Sequence, residues 1–183
     1  MSKIKNTKTL TTCAMLVALA VILGFFRIPV TNIIEIRFGS LPLAVAGSFY
    51  GPAVAGIVGG ISDILAFAVK PTGPFFPGFT ISSILSAVIF GLVLRRKNQD
   101  VTAWRIILAE ILHTFLVGLL LNSYNLFLLY GSPAGTGMTG YLAILSSRLV
   151  KELVMFPVNT ALLFMVLKPL RYVEKYVLQD AHS

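Results

Sequence analysis

Charged side chains are scarce in this sequence, and acidic ones are scarcer still. Only 12% of the 183 residues are charged, whereas soluble domains carry about 25%. Seven residues are Asp or Glu, fifteen are Lys or Arg, and the mean hydropathy is +0.87. This composition excludes an ordinary soluble domain and predicts an integral membrane protein embedded in a lipid bilayer. The net charge of +8 fits basic residues that flank apolar spans, so no nucleic-acid partner is expected.

The residues that several enzyme classes require are also missing. A single cysteine, Cys13, cannot form an intrachain disulfide, and two histidines make a zinc site improbable. The sequence has no Walker A motif, no H-E-x-x-H motif and no nucleophile elbow. We therefore predict a non-enzymatic chain with no cofactor and no metal. If it takes part in active transport, other subunits must hydrolyse the ATP.

Apolar runs dominate what remains, and they predict an all-α protein of one domain with six transmembrane helices. A spanning helix needs about 20 mainly apolar residues, or fewer where it is short. Breaks at Pro29, Gly51-Pro52 and Lys70-Pro71 separate the first four runs, because a residue that precedes proline avoids helical angles. The predicted spans are residues 10–28, 39–50, 53–69, 80–94, 101–126 and 139–167.

The basic residues indicate the orientation of these spans. Most of them fall on one side of a six-span arrangement, including Lys3, Arg95 and Lys168. Because cytoplasmic loops carry the excess of Lys and Arg, both termini are expected in the cytoplasm. The opposite side receives only Arg27, Arg37 and Lys70 in its loops, and these three are candidate ligand-binding residues.

A charge cluster lies inside the sixth span. Arg148, Lys151 and Glu152 are three and four residues apart, so they share a helical face. A charge at bilayer depth costs about 2.5 to 3.5 kcal/mol, which makes such a cluster a functional-site hypothesis. One reading is an ion-pair network that ties helices together. The other is capture of an anion from outside, since Glu152 can neutralise only one of the two cations.

Further polar residues lie in the predicted spans, and Asp63 is at a depth similar to that of the charge cluster. Asp63 either accepts a hydrogen bond from a neighbouring Ser or Thr or accepts from the amino-amidine edge of a heterocycle. Asn122 and Tyr124 near the end of the fifth span supply donors and acceptors, or simply anchor that end of the helix. His113, at mid-span, is interpreted as an interhelical hydrogen-bond partner.

The connection from Lys70 to Thr80 combines three prolines with aromatic residues. Prolines stiffen the backbone, and Phe75 and Phe76 project from a segment expected to be neither helix nor strand. One reading is an interfacial loop that anchors in lipid. The alternative is a rigid aromatic lid over a flat ligand, flanked by the cation of Lys70.

Small residues recur on two of the predicted spans. Ala14 and Ala18 on the first span permit close helix approach, either within the bundle or with another membrane subunit. The glycines Gly56, Gly59 and Gly60 on the third span are expected to pack inside the bundle.

The motif Phe38-Gly39-Ser40-Leu41-Pro42-Leu43, with Gly47, Tyr50-Gly51-Pro52 and Asp63-Ile64-Leu65 after it, resembles a known family. That family comprises the substrate-binding S components of energy-coupling factor (ECF) vitamin transporters. The stretch from Pro71 to Thr80 resembles the loop of its folate-specific members. The resemblance covers essentially the whole chain and implies a six-helix subunit of a bacterial cell membrane.

The resemblance also implies partners and roles. Folate or a related pterin would be captured outside, and the Ala14 and Ala18 face would dock on a membrane coupling subunit joined to two cytoplasmic ATPase subunits. Asp63 or a neighbouring polar group would read the pterin, and Phe75 or Phe76 would cover a ring. Some of five cations would neutralise the two carboxylates of the glutamate tail. These are Arg27, Arg37, Lys70, Arg148 and Lys151.

Two other functions are weighed against this one. An S component for another vitamin, such as cationic thiamine, would want acidic rather than basic partners. A stand-alone secondary transporter would need coupling-ion sites near the midplane and commonly inverted repeats, and neither is found in the sequence.

Overall fold

The computed structural model describes residues 7–29, 35–71, 74–95, 102–130 and 137–180. Its helices are α1 (Thr7–Phe25), α2 (Ser40–Tyr50), α3 (Pro52–Val69), α4 (Pro77–Leu94), α5 (Ala103–Leu112), a π-helical segment (His113–Leu121), α6 (Asn122–Tyr130) and α7 (Met138–Asp180). The π-helical segment joins α5 to α6 without a break, so the helices form six rods. The predicted all-α fold with six helices is confirmed.

Most of the rods are long and apolar enough to cross a membrane. Among the described residues, four stretches meet this condition: Pro52–Val69, Pro77–Leu94, Ala103–Leu129 and Met138–Leu170. Two shorter apolar helices, Thr9–Phe25 and Ser40–Tyr50, complete the set. The orientation of the termini stays a prediction.

A short β-hairpin follows α1. Strand β1 (Arg27–Pro29) pairs antiparallel with β2 (Glu35–Arg37), and Arg27 lies opposite Arg37. Helix α1 therefore ends at Phe25, earlier than the proline rule alone predicts. The reason is the pairing with β2, which the local pattern around Pro29 does not reveal.

Successive rods run in opposite directions, which defines two ends of the bundle. We call the end that carries the β-hairpin and the α3–α4 and α6–α7 connections the hairpin end. We call the opposite end, where α1 begins, the terminal end. The turn between α2 and α3 lies at the terminal end, where Gly51 has a φ of 92° and the side chain of Arg95 lies against it.

Small residues let α2, α3 and α4 approach closely. A Cβ on Gly47 would lie 2.6 Å from the backbone nitrogen of Gly91, and one on Gly59 would lie 2.8 Å from the carbonyl oxygen of Ser83. The Ser83 hydroxyl also donates to the Gly59 carbonyl at 3.0 Å. The glycines of α3 thus pack inside the bundle, as the sequence predicts.

Two apolar clusters form the core. One joins α1 to α2, α3 and α4, and the other joins α2 and α4 to α5 and α7 near the terminal end. Leu16, Leu43, Ala46, Ala55, Val58 and Ala87 form the first, whereas Ala44, Phe90, Leu94, Ile106, Ala109, Leu163 and Leu167 form the second.

The fifth rod departs from the regular helix that the sequence predicts. At its π-helical segment the N–H of Asn122 donates to the carbonyl of Val117, five residues back. In an α-helix that N–H would bond to Gly118 instead. The carbonyl of Gly118 is thereby released from its usual donor. The last rod, α7, contains Pro157 and Pro169 and extends to Asp180, beyond the predicted end of the span.

Candidate functional site

Polar side chains join α3, α4 and α6 near the hairpin end. The hydroxyl of Thr80 donates to Oδ2 of Asp63 at 2.7 Å, and the amide nitrogen of Asn125 donates to the hydroxyl of Ser82 at 3.0 Å. Asn125 and Ser82 are buried, and Asp63 is half-buried. We call these four residues the carboxylate–amide cluster. The interhelical hydrogen bond considered for Asp63 is therefore formed, and its donor is Thr80.

The first residues of α4 shape this cluster. A Cβ on Gly78 would overlap both Oδ1 of Asn125 and the ring of Phe76. Glycine at this position therefore lets the buried amide and the aromatic ring lie against the start of the helix. The stretch from Pro77 to Thr80 is already helical, whereas the sequence predicts an irregular connection as far as Thr80. Pro77 at the first helical position explains this start, since its fixed φ suits a helix N-terminus.

The two aromatic residues of the connection point to different neighbours. Phe75 is exposed and packs on Phe67 of α3, with ring centroids 5.1 Å apart. Phe76 is half-buried and meets Phe79 edge-on at 6.0 Å. Only Phe76 lies against the carboxylate–amide cluster, through Gly78. Lys70, at the end of α3, is exposed.

A second polar group lies deeper, where α7 meets the π-helical segment. The guanidinium of Arg148 donates to the released carbonyl of Gly118 at 3.3 Å. A Cβ on Gly118 would lie 3.0 Å from the carboxyl carbon of Glu152, so this carboxylate also packs against the glycine. We call Gly118, Arg148 and Glu152 the arginine cluster. Lys151 is half-buried beside it, and both cations are engaged in interactions in the structure.

The two clusters are connected through one rod. Asn125 follows Gly118 by seven residues, which places them about 10 Å apart along the helix. A carboxylate and an amide therefore lie at one level, and an arginine lies about two turns below. An elongated ligand with a polar heterocycle at one end and an anionic group at the other matches this spacing.

The remaining predicted residues are not all brought to these clusters. Tyr124 is 52% exposed and lies on a different face from the buried Asn125. Asn122 is half-buried, and its described contact is the backbone bond to Val117. The strands place Arg27 and Arg37 directly opposite each other at the hairpin end, but their side chains lie outside the described part of the chain.

Sequence reasoning named Asn122 and Tyr124 but missed Asn125. Three serines at 82, 83 and 86 were a signal, because hydroxyls in an apolar span indicate a polar partner on a neighbouring helix. The donor to Gly118 could not be anticipated, since the π-helical segment that releases this carbonyl leaves no mark on the apolar pattern.

An apolar groove of about 410 Å³ lies between α1 and α3. Ala14 and Ala18 line it together with Ile57 and Ile61, so the predicted alanine face is open rather than packed within the bundle. We call it the α1–α3 groove. Within the described residues, no set of three His, Cys, Asp or Glu side chains could hold a metal ion.

Known proteins of similar sequence and fold identify the family. The family model described as "ECF transporter, substrate-specific component" matches residues 8–167. Over 160 residues the chain is 35% identical to a folate transporter FolT of Clostridium novyi (strain NT), covering 87% of this chain and 88% of the relative. It is 27% identical over 162 residues to a folate transporter FolT of Leuconostoc mesenteroides, covering 88% of this chain and 85% of the relative.

Solved structures agree with the sequence match. A crystal structure of FolT bound with folic acid superposes with a TM-score of 0.75 at 28% identity, covering 88% of this chain and 93% of the other. The S component of a bacterial ECF transporter superposes at 0.59 and 22% identity, over 93% and 97% of the two chains, which shows a common fold. The chain belongs to the family of substrate-specific components of ECF transporters.

Proposed function

We propose that this chain is the folate-binding subunit of an ECF importer, and that it works as a single six-helix domain. The observation that carries the proposal is the placement of a carboxylate–amide cluster about 10 Å from an arginine cluster along one rod. Folate has an amino-amidine edge at one end and two carboxylates at the other. Similarity to proteins named folate transporter, and to a structure bound with folic acid, supports the same ligand.

At the pterin end, Asp63 is the proposed acceptor. A carboxylate matches the two N–H donors of an amino-amidine edge, and charge-assisted bonds of this kind are short and strong. Thr80 holds Oδ2 at 2.7 Å, and the described residues place no second donor on Asp63. Phe76 is the proposed ring cover, because it lies against Gly78.

At the glutamate end, Arg148 and Lys151 are the proposed partners of the carboxylates. Glu152 supplies one negative charge beside two positive ones, which leaves a net positive field for an anion. The bond from Arg148 to the Gly118 carbonyl fixes the direction of the guanidinium before the ligand arrives. Arg27, Arg37 and Lys70 at the hairpin end are further proposed sources of positive charge, and Phe75, Asn122 and Tyr124 remain proposed contacts at the rim.

Transport requires partners, and the α1–α3 groove is the proposed docking surface. Its lining is apolar, and Ala14 and Ala18 leave room for a helix of the coupling subunit, which would be joined to two ATPase subunits. We propose that the hairpin end faces the outside of a bacterial cell and that both termini are cytoplasmic. The substrate-specific component is itself a non-catalytic subunit.

The test is a binding screen of the detergent-solubilised chain by isothermal titration against folate, thiamine, riboflavin and biotin. Folate alone is expected to bind, and Asp63→Ala is expected to weaken its affinity about a hundredfold. If thiamine bound and folate did not, the chain would be a binding subunit for thiamine instead of folate. If none of the four vitamins bound, the proposal that this chain captures a vitamin would be contradicted.

A further inference from the structure

Three cations from three rods lie beside the second core cluster at the terminal end. Arg95 follows the last residue of α4, Arg105 lies in the first turn of α5, and Lys168 lies near the end of the apolar part of α7. We call them the terminal cation cluster. Each is the chain neighbour of a fully buried residue of that core cluster, and these residues are Leu94, Ile106 and Leu167. Because the neighbours pack in one cluster, the three backbones converge at one place.

The three basic side chains are held against the bundle. The guanidinium of Arg105 donates to the carbonyl of Val93 at 3.3 Å, which links α5 to the last turn of α4. The ammonium of Lys168 lies 5.4 Å from the ring centre of Phe164, a cation–π contact within α7. Arg95 lies against the turn between α2 and α3. Basic residues that only set the orientation of a membrane protein need no such contacts, so this arrangement asks for a further explanation.

The positive charge of the cluster is not balanced locally. Among the described side chains, none of the three cations forms an ion pair. The neighbouring sequence does not supply enough acid either, because residues 95–105 and 168–180 together contain seven Lys or Arg and three Asp or Glu. The terminal end therefore presents a net positive surface that attracts anions.

An exposed apolar side chain lies below each cation. Leu92, Leu108 and Met165 are each three residues from one of the cations, on the side of the hairpin end. Residues three apart on a helix share a face, so each apolar side chain lies about one turn deeper than its cation. The three are 66%, 37% and 73% exposed, respectively. The surface thus changes from cationic at the terminal end to apolar toward the middle of the bundle.

We propose that the terminal cation cluster binds the headgroup phosphate of an anionic phospholipid, independently of the vitamin site. The phosphate lies among Arg95, Arg105 and Lys168, and the acyl chains follow the apolar side chains below them. Basic pockets between transmembrane helices bind anionic headgroups in this way. A free phosphate ion would make no use of the apolar surface. An acidic segment of a soluble protein would not either, so the change from cationic to apolar favours a lipid.

The chain contains its own reporter for this site. Its single tryptophan, Trp104, precedes Arg105 and is 67% exposed on α5. An indole at the edge of an apolar span sits at the level of the lipid headgroups. Brominated acyl chains quench indole fluorescence on close approach, so the quenching of Trp104 measures which lipid occupies the surface beside the cluster.

The experiment uses the full chain without vitamin in vesicles of phosphatidylcholine. Dibrominated phosphatidylglycerol or dibrominated phosphatidylcholine replaces part of the lipid, and the quenching at each mole fraction gives the relative affinity of the two lipids. For the wild type we expect phosphatidylglycerol to be favoured about tenfold. The double variant Arg95→Gln, Lys168→Gln should reduce this preference to about twofold, because it removes two of the three charges.

A matched control removes the same charge from the same end. Arg96→Gln combined with Lys97→Gln changes the two basic residues that follow Arg95 and lie outside the described part of the chain. This control should keep the tenfold preference. Inorganic phosphate added at constant ionic strength should leave the quenching by brominated phosphatidylglycerol unchanged, because the site takes the headgroup together with its acyl chains.

Each outcome decides the proposal. A preference that the cluster variant loses and the control keeps supports the lipid site. If the cluster variant fails to fold, Lys168→Gln alone should reduce the preference to about threefold. Equal loss in the cluster variant and the control would show a general surface charge and overturn the proposal. Displacement of the lipid by inorganic phosphate would overturn it in favour of a free-anion site. A wild type without preference, combined with loss of vitamin uptake by cells in the cluster variant, would overturn it in favour of a protein partner.

Discussion

The carboxylate–amide cluster and the α1–α3 groove are built from opposite kinds of side chain. In the cluster, two hydrogen-bonded pairs, Asp63 with Thr80 and Asn125 with Ser82, link neighbouring helices. In the groove, alanines, isoleucines and valines line an open surface on the outside of the bundle. On the proposed assignment, recognition of the vitamin and docking of the partner use separate surfaces, so substitutions should affect one without the other.

The largest expected effect comes from filling the groove. Ala14→Trp combined with Ala18→Trp places two large rings where a partner helix would approach, so vitamin uptake by cells should fall to background, at least about a hundredfold. Vitamin affinity of the isolated chain should not change. Met15→Trp is the matched control, because Met15 is exposed on α1 but does not line the groove. Equal loss of uptake in the control would mean that the groove is not the docking surface.

A smaller effect is expected at the arginine cluster. Gly118→Ala puts a Cβ about 3.0 Å from the carboxyl carbon of Glu152, which must then move and disturb Arg148. We expect folate affinity to weaken about fivefold, as measured by isothermal titration. Gly24→Ala serves as the control, since a Cβ on Gly24 meets nothing within 4 Å. If Gly118→Ala left folate affinity unchanged, the arginine cluster would not be part of the folate site.

The smallest effect is expected from removing the donor to Asp63. Thr80→Val keeps the shape of the side chain but loses the 2.7 Å hydrogen bond, so the carboxylate is less firmly oriented. Folate affinity should weaken about threefold, and Thr80→Ser should recover most of it. Thr160→Val removes a hydroxyl that, within the described residues, donates to the Phe156 carbonyl of the same helix, and it is expected to leave binding unchanged. An equal loss in both Val variants would indicate a general effect on packing.

The sequence predicts regular features better than irregular ones. Apolar runs and proline breaks locate all six rods, and the glycines of α3 are correctly expected inside the bundle. Local patterns do not reveal the β-hairpin, because Arg27–Pro29 becomes a strand only through pairing with Glu35–Arg37. They also do not reveal the π-helical segment, whose residues are as apolar as those of an ordinary span.

The candidate site shows the same limit. Charges in apolar surroundings single out Asp63, Arg148 and Glu152 from composition alone. Their partners come from other rods, so Thr80 and the Gly118 carbonyl become evident only in three dimensions. Glu110 is also an acid inside a predicted span, so the same rule applies to it, and the structure shows that it is only 1% exposed.

The central claim is that one ligand reaches from the carboxylate–amide cluster to the arginine cluster. Its most direct test is isothermal titration of the wild type, Asp63→Ala and Arg148→Ala with folate and with pteroate, which lacks the glutamate tail. Asp63→Ala should weaken both ligands by the same factor, about a hundredfold, whereas Arg148→Ala should weaken folate about tenfold and leave pteroate unchanged. If Arg148→Ala weakened both ligands equally, or Asp63→Ala weakened neither, the proposed orientation of folate would be contradicted.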